Sequence, residues 1–176
     1  MICYKGFNQD LCCTLGQGTM QYKVGETYTA KAAQTASTGL HCVEEPIEVL
    51  RWYKSGRYCI VSAEGDINEN GDKIACTRMR ILKEIDIKTL ALLQCRWMVE
   101  HQDRAYSDLV ERNSGTAEKD GITVVYGEHP KARGEIGSLI CLVRKGKHGI
   151  EAGAYEIDGK RYKQGVYYGV DGRQRK

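Results

Sequence analysis

Phenylalanine and proline are close to absent: the 176 residues contain one Phe and two Pro. So few prolines exclude proline-rich linkers and recognition segments. No run reaches the roughly 18 consecutive apolar residues of a transmembrane helix. The opening segment MICYKGFNQD lacks the charged-then-apolar layout of a secretory leader, so a cytoplasmic protein with no membrane partner is expected. Charge of one sign does not prevail either. With 26 Lys+Arg against 23 Asp+Glu the net charge is +3. That balance implies no strong field for anionic lipid, and nucleic acid is not an expected partner.

What is present fits a folded chain with room for one ordinary domain or two small ones. Hydrophobic residues make up 41% and charged residues 28%, enough for a core and a solvated surface. Eleven tyrosines stand beside two tryptophans. Tyrosine buries a ring while keeping its hydroxyl wet, which suits thin β-rich cores, grooves and interfaces. The eight cysteines include no C-x-x-C pair, the spacing that lets two thiolates share a tetrahedral metal. They read as reduced thiols, with Cys59 and Cys76 inside strand-like apolar runs. No metal and no cofactor is expected.

Along the chain, Met1–Lys5 reads as a first strand, and QYKVGETYTA (Gln21–Ala30) as strand, Val24-Gly25 turn, strand. Ala30–Gly39 reads as a mobile loop. Pro46 opens a two-turn helix through Tyr53, since proline is tolerated where an N–H would be orphaned anyway. Arg57–Gly65 alternates as a strand, Asp66–Asp72 is a hairpin loop around Asn70-Gly71, and Lys73–Ile85 returns as a strand. Ile87 to about His101 repeats its apolar residues at helical spacing. Past Gln102 the text turns polar and glycine-rich. The expected fold is therefore α+β: residues 1–102 an antiparallel sheet with two helices, residues 103–176 a β-rich, short solenoid-like module with a frayed basic tail.

No strong catalytic motif occurs. Gly16-Gln17-Gly18 reads as a turn, and Glu44, Glu45 and Glu48 as helix N-terminal acids. The candidate ligand site combines Tyr4 and Lys5 of YKGF, His41 of GLHC, and Arg51, Trp52 and Tyr53 of PIEVLRWY. Together they would form a cleft in which rings stack and cations meet phosphate. The bland alternative makes Trp52 and Tyr53 core residues and His41 a hydrogen-bonded strand histidine. Arg173, Arg175 and Lys176 are candidate phosphate contacts.

The run YKGF…QYKVGETY…GLHC…PIEVLRWY…RYCIV…KIACTRMRILKEI, with YGEHPKARGEIGSLICLV and DGKRYKQGVYY, resembles a family common in bacteriophages, prophages and mobile elements of gut bacteria. Its small-residue stretch is similar to the repeats of trimeric autotransporter heads, reduced here to one or two turns, which implies a homo-oligomer such as a trimer. The resemblance implies a non-enzymatic binding protein of the host cytosol, acting in counter-defence on a host protein or a nucleotide signal. A second resemblance, to ADP-ribosyltransferase-like folds, implies an NAD-consuming enzyme with Glu64 or Glu84 as its catalytic carboxylate. No Arg or His stands at the first-strand position that such folds use. A structural virion or tail accessory protein is the third alternative.

Overall fold

The computed structural model describes residues 1–14, 18–147 and 149–176. The Gly16-Gln17 turn and the middle of the basic turn at His148 lie outside the described residues. Backbone contacts divide the chain into two compact units, Met1–Asp86 and Ile87–Lys176. The boundary precedes the change of composition at Gln102 by one helix, because that helix packs on the strands that follow it.

In the first unit, seven strands run β1 (Ile2–Phe7), β2 (Cys12–Cys13), β3 (Met20–Gln21), β4 (Thr27–Thr29), β5 (Leu40–Cys42), β6 (Arg57–Asn70) and β7 (Lys73–Ile85). The main sheet is antiparallel, ordered β1-β6-β7-β4, with β5 also on β7. It is long because β6 and β7 form one continuous hairpin. Strand β6 runs through most of the expected Asp66–Asp72 loop, leaving Gly71 and Asp72 as the turn, with Gly71 at φ +60°. Register shifts at Ile60/Val61 and Glu64/Ile67 bend this hairpin. The bend brings Val43, one residue past β5, against the free edge of β1. There Tyr4 N–H donates to Val43 C=O at 2.8 Å and Val43 N–H returns a bond of 2.9 Å. The pairings β1–β6–β7–β5–β1 thus close into a ring around Cys3, Phe7, Cys59, Val61, Cys76, Met79 and Ile81, all buried. Each large apolar side chain sealed there contributes roughly 1.5–3 kcal/mol.

In the second unit, helix α1 (Ile87–Glu100) buries Leu90, Ala91, Gln94, Cys95, Trp97 and Met98. Strands β8 (Glu111–Ala117), β9 (Ile122–Gly134) and β10 (Leu139–Gly146) pair in parallel. Ala117 stands beside Gly134 and Ile122 beside Leu139, each partner 17 positions further along the chain. This is the geometry of a coil with stacked rungs. Small residues permit the close stacking: a Cβ on Gly115 would lie 2.5 Å from Thr123 Oγ1 and Val125 Cγ2. Strand β11 (Gly149–Glu156) folds back on β10, β12 (Tyr167–Gly169) pairs with β9, and β13 (Gln174–Arg175) with β12.

Three expectations are corrected. The α+β layout gives way to a mostly β chain, 51% strand and 12% helix. The reason is local: the Pro46–Arg51 segment winds as a 3-10 helix of six residues, and α1 belongs to the second unit, so among the described residues the first unit has no α-helix. The Ala30–Gly39 loop is tied down, with a Gln34–Thr38 bridge and Thr35 bonded to Asn68 Oδ1 at 2.9 Å. The tail is not frayed, since β13 pairs with β12 and Asp171 accepts from Arg173 N–H and from the Arg175 guanidinium.

Where the hairpin meets β1, a Cβ on Gly56 would fall 2.0 Å from the Phe7 carbonyl oxygen. Backbone cannot yield there as a side-chain tip would. Gly56→Ala is therefore expected to cost about 2–3 kcal/mol in urea unfolding; an unchanged midpoint would contradict the close approach.

Candidate functional site

The ring closure leaves an open cleft of about 790 Å³ beside β1. One wall is Tyr4, Lys5 and Gly6 of β1; another is Gly39, His41, Cys42 and Val43; the 3-10 helix and its exit supply Val49, Trp52 and Tyr53. Cys13 and Lys73 complete the lining with residues 36–38. A second cavity of about 210 Å³ shares Lys5, Cys13, Gly39 and His41 with it. Five of the six candidate ligand residues thus come together.

The sixth, Arg51, does not line the cleft. Its guanidinium is bidentate on Glu48, Nε to Oε2 at 2.8 Å and Nη2 to Oε1 at 2.9 Å, and Glu48 is buried. Arg51 offsets a buried carboxylate and is held by it. Glu48 does stand in the first turn of the 3-10 helix, as read from the sequence, and is in addition a buried ion-pair partner.

Lys5 shares the inner face of β1 with Cys3 and Phe7, and only 5% of it is exposed. Its Nζ donates to the His41 carbonyl at 2.7 Å and approaches Cys13 Sγ at 3.8 Å. It also lies over the rings of Phe7 and Tyr22, 5.5 and 5.3 Å from their centroids. Among the described residues no carboxylate reaches it, and none lines the cleft. An ammonium buried without a counter-charge is expensive, and a bound anion removes that cost.

Gly39, at φ +109°, admits β5 closely past Ala32 and delivers His41 to the same wall. His41 bonds to the Gln34 backbone, and its Nε2 is buried with no partner. Burial, followed by the Lys5 and Lys73 charges, pushes the imidazole below its ordinary value, so it is neutral near pH 7. The wall thus holds a nearly buried cation beside an imidazole whose Nε2 is sealed from solvent.

The aromatic wall is fixed by contacts to backbone. Tyr58 Oη donates to the Tyr53 and Lys54 carbonyls, both at 2.9 Å, pinning the helix exit. Tyr53 lies on Gly6, where a Cβ would sit 2.9 Å from its ring, and its hydroxyl meets Cys13 Sγ at 3.2 Å. Trp52 is 40% exposed, with Lys73 Nζ 4.0 Å from its ring centroid. Behind the wall Cys42 bonds to the thiols of Cys3 and Cys76. Those bonds, with burial, raise Cys42, while Cys42's contact lowers Cys76 to about 7.

Sequence reasoning missed Lys73 and Cys13. Lys73 reaches Trp52 only through the register of the hairpin, which no motif marks. Cys13 is marked only by its neighbour Cys12, and two adjacent cysteines on a strand define no ligand site by themselves. The two candidate carboxylates sit elsewhere: Glu84 is bidentate on Arg57 at 2.6 Å, which holds its carboxyl below the usual range, and Glu64 faces Arg78 at 3.5 Å. In the other unit, Arg173 and Arg175 share Asp171, and the main-chain oxygen of Lys176, the last residue, accepts from Lys131 at 2.6 Å.

A family model, the domain of unknown function DUF7666, matches residues 1–93. Spanning more than half the chain, that match places the protein in this family. No curated protein and no solved structure matches it. Among the described residues no helix is long and apolar enough to cross a membrane.

Two outcomes test this geometry. Removing the arginine strands a buried carboxylate, so Arg51→Ala is expected to lose about 2–3 kcal/mol in chemical denaturation, less than a fully enclosed pair because Arg51 is partly exposed. As pH falls below 6.5, the unfolded chain binds a proton that the folded His41 resists, so stability conferred by neutral His41 is present above 6.5 and lost as pH falls through the depressed folded value. Urea midpoints at pH 7.5 and 5.5 are expected to fall further for the native chain than for His41→Gln; equal falls would contradict the buried imidazole.

Proposed function

We propose that the first unit of this DUF7666-family chain is a non-catalytic receptor that sequesters a nucleotide-like small molecule. The single observation that carries the reading is the Lys5 ammonium, 5% exposed, lining the cleft without a carboxylate partner among the described residues. An anionic group seated there is the simplest neutralisation. Trp52 and Tyr53 offer ring faces for a planar base. The cleft volume suits a mononucleotide or one half of a dinucleotide.

The wider setting belongs to the same proposal: a phage- or prophage-encoded homo-oligomer acting in the host cytosol, where removing a nucleotide signal would blunt a defence response. The likeness of YKGF, GLHC and PIEVLRWY to that family supports it. The transferase alternative is disfavoured, because Glu64 and Glu84 are bound to arginines away from the cleft and no carboxylate lines it to steady an oxocarbenium.

Calorimetric titration with linear and cyclic mononucleotides and cyclic dinucleotides tests this. At least one is expected to bind. Lys5→Met, which keeps the buried stem, is expected to weaken that binding by roughly tenfold to a hundredfold, and Trp52→Ala by roughly tenfold. Binding unaffected by both changes, or none from any nucleotide, would overturn the reading.

A further inference from the structure

The near-neutral net charge conceals an uneven distribution. Strands β8, β9, β12 and β13 lie side by side, and their register aligns Thr116 with Arg133, Arg133 with Tyr167 through the Tyr168–Ala132 pair, and Tyr167 with Arg175. The neighbouring row holds Ser114 beside Lys131, which pairs with Gly169. Register partners point to the same side of a sheet, and the intervening Gly115, Ala117 and Ala132 are buried. The outward face is therefore made of hydroxyls, cations and one tyrosine.

Lys131 Nζ and the Arg133 guanidinium both stand 4.9 Å from the Tyr167 ring centroid. Arg133 bonds to Thr116 Oγ1 and has no carboxylate partner among the described residues, while Lys131 is held at 2.6 Å by the main-chain oxygen of Lys176, the last residue. Arg173 and Arg175 divide a single carboxylate, Asp171, between them. The Arg175 guanidinium lies flat over Gly169, where a Cβ would meet it at 2.7–2.8 Å, so the glycine keeps that arginine on the face. The local potential is registered by Tyr167, whose hydroxyl is drawn below the usual tyrosine range by its bond to Ser114 and by the Arg133 and Lys131 charges. A potential that favours a phenolate favours any anion brought to the same place.

We propose that this face of the second unit binds single-stranded nucleic acid. The cations stand on β9 (Lys131 and Arg133) and on β13 (Arg173 and Arg175), two strands about 10 Å apart with β12 between them, so a phosphodiester chain laid across the face meets both rows. Tyr167, set among them, offers a ring to an unstacked base. A duplex keeps its bases covered and would use the cations alone. A lipid surface would use the cations alone and give the Tyr167 ring no base to stack on. The proposal is independent of the cleft, which lies wholly within the first unit.

Fluorescence anisotropy of the full chain with a labelled short oligothymidylate reads it out. Binding is expected to weaken with salt at a log–log slope of about −3, as for four or five phosphate contacts. Lys131→Gln and Arg133→Gln are each expected to lower affinity roughly five- to tenfold and to make that slope shallower by about one. Tyr167→Phe is expected to hold affinity where Tyr167→Ala loses it. Arg144→Gln, whose arginine pairs with Glu151, serves as a control and is expected to change nothing. Circular dichroism confirms that each variant is folded. Equal affinity for duplex of the same length, attachment to phosphatidylserine vesicles without oligonucleotide binding, or no binding at low salt would each overturn the proposal.

Discussion

A lysine ammonium enclosed by a β-sheet, held by one carbonyl and two ring faces, is the constraint on which the first unit turns. Burying a charge without a counter-charge works against folding, and the apolar surface sealed in the same ring offsets that cost. Lys5 lies between Cys3 and Phe7 on one strand, both sealed from solvent, so the strand cannot slip to expose the lysine without exposing them too. The Tyr4–Val43 bridge then fixes where the cation stands, directly beside the His41 carbonyl that receives it. Fold and site are one arrangement: the closure that makes the core also sets the Lys5 cation beside the cleft.

The second unit handles its cations the other way. Its coil spends small residues inward, Gly115, Ala117 and Ala132, so that parallel rungs stack closely, and sends long basic side chains outward. There solvent bears the cost of the charges, and their effect is a field over a surface instead of a seat within a wall. The same composition therefore yields two kinds of anion-attracting geometry, an enclosed one suited to a small ligand and an extended one suited to a chain.

Legibility followed the range of the interaction. Strand β7 occupies the bounds read from alternation, Lys73–Ile85, and α1 the bounds read from its apolar stripe, because both signals are local. Pro46 marked its helix start, but propensity does not distinguish a 3-10 turn from an α-turn, and Tyr53 settling on Gly6 ends the helix after six residues. The polar Asp66–Asn70 run reads as loop because its side chains face water, yet each residue from Ile67 to Asn70 has a partner on β7. The Tyr4–Val43 closure, Lys73 over Trp52, and the parallel register of β8 with β9 join residues far apart in sequence, and no local pattern records them. Arg51 was misassigned for a related reason: its partner Glu48 is visible three residues away, but its burial is not.

The most direct test of the account is the magnetic resonance signal of Lys5 itself. In protein carrying lysines labelled at the ε-carbon, the Lys5 resonance is identified by its absence in Lys5→Met and followed as a nucleotide is titrated. The account predicts that it moves with the binding isotherm while lysines of the second unit stay in place. A nucleotide that binds while the Lys5 signal remains fixed would contradict the claim that this buried cation is the anion's seat.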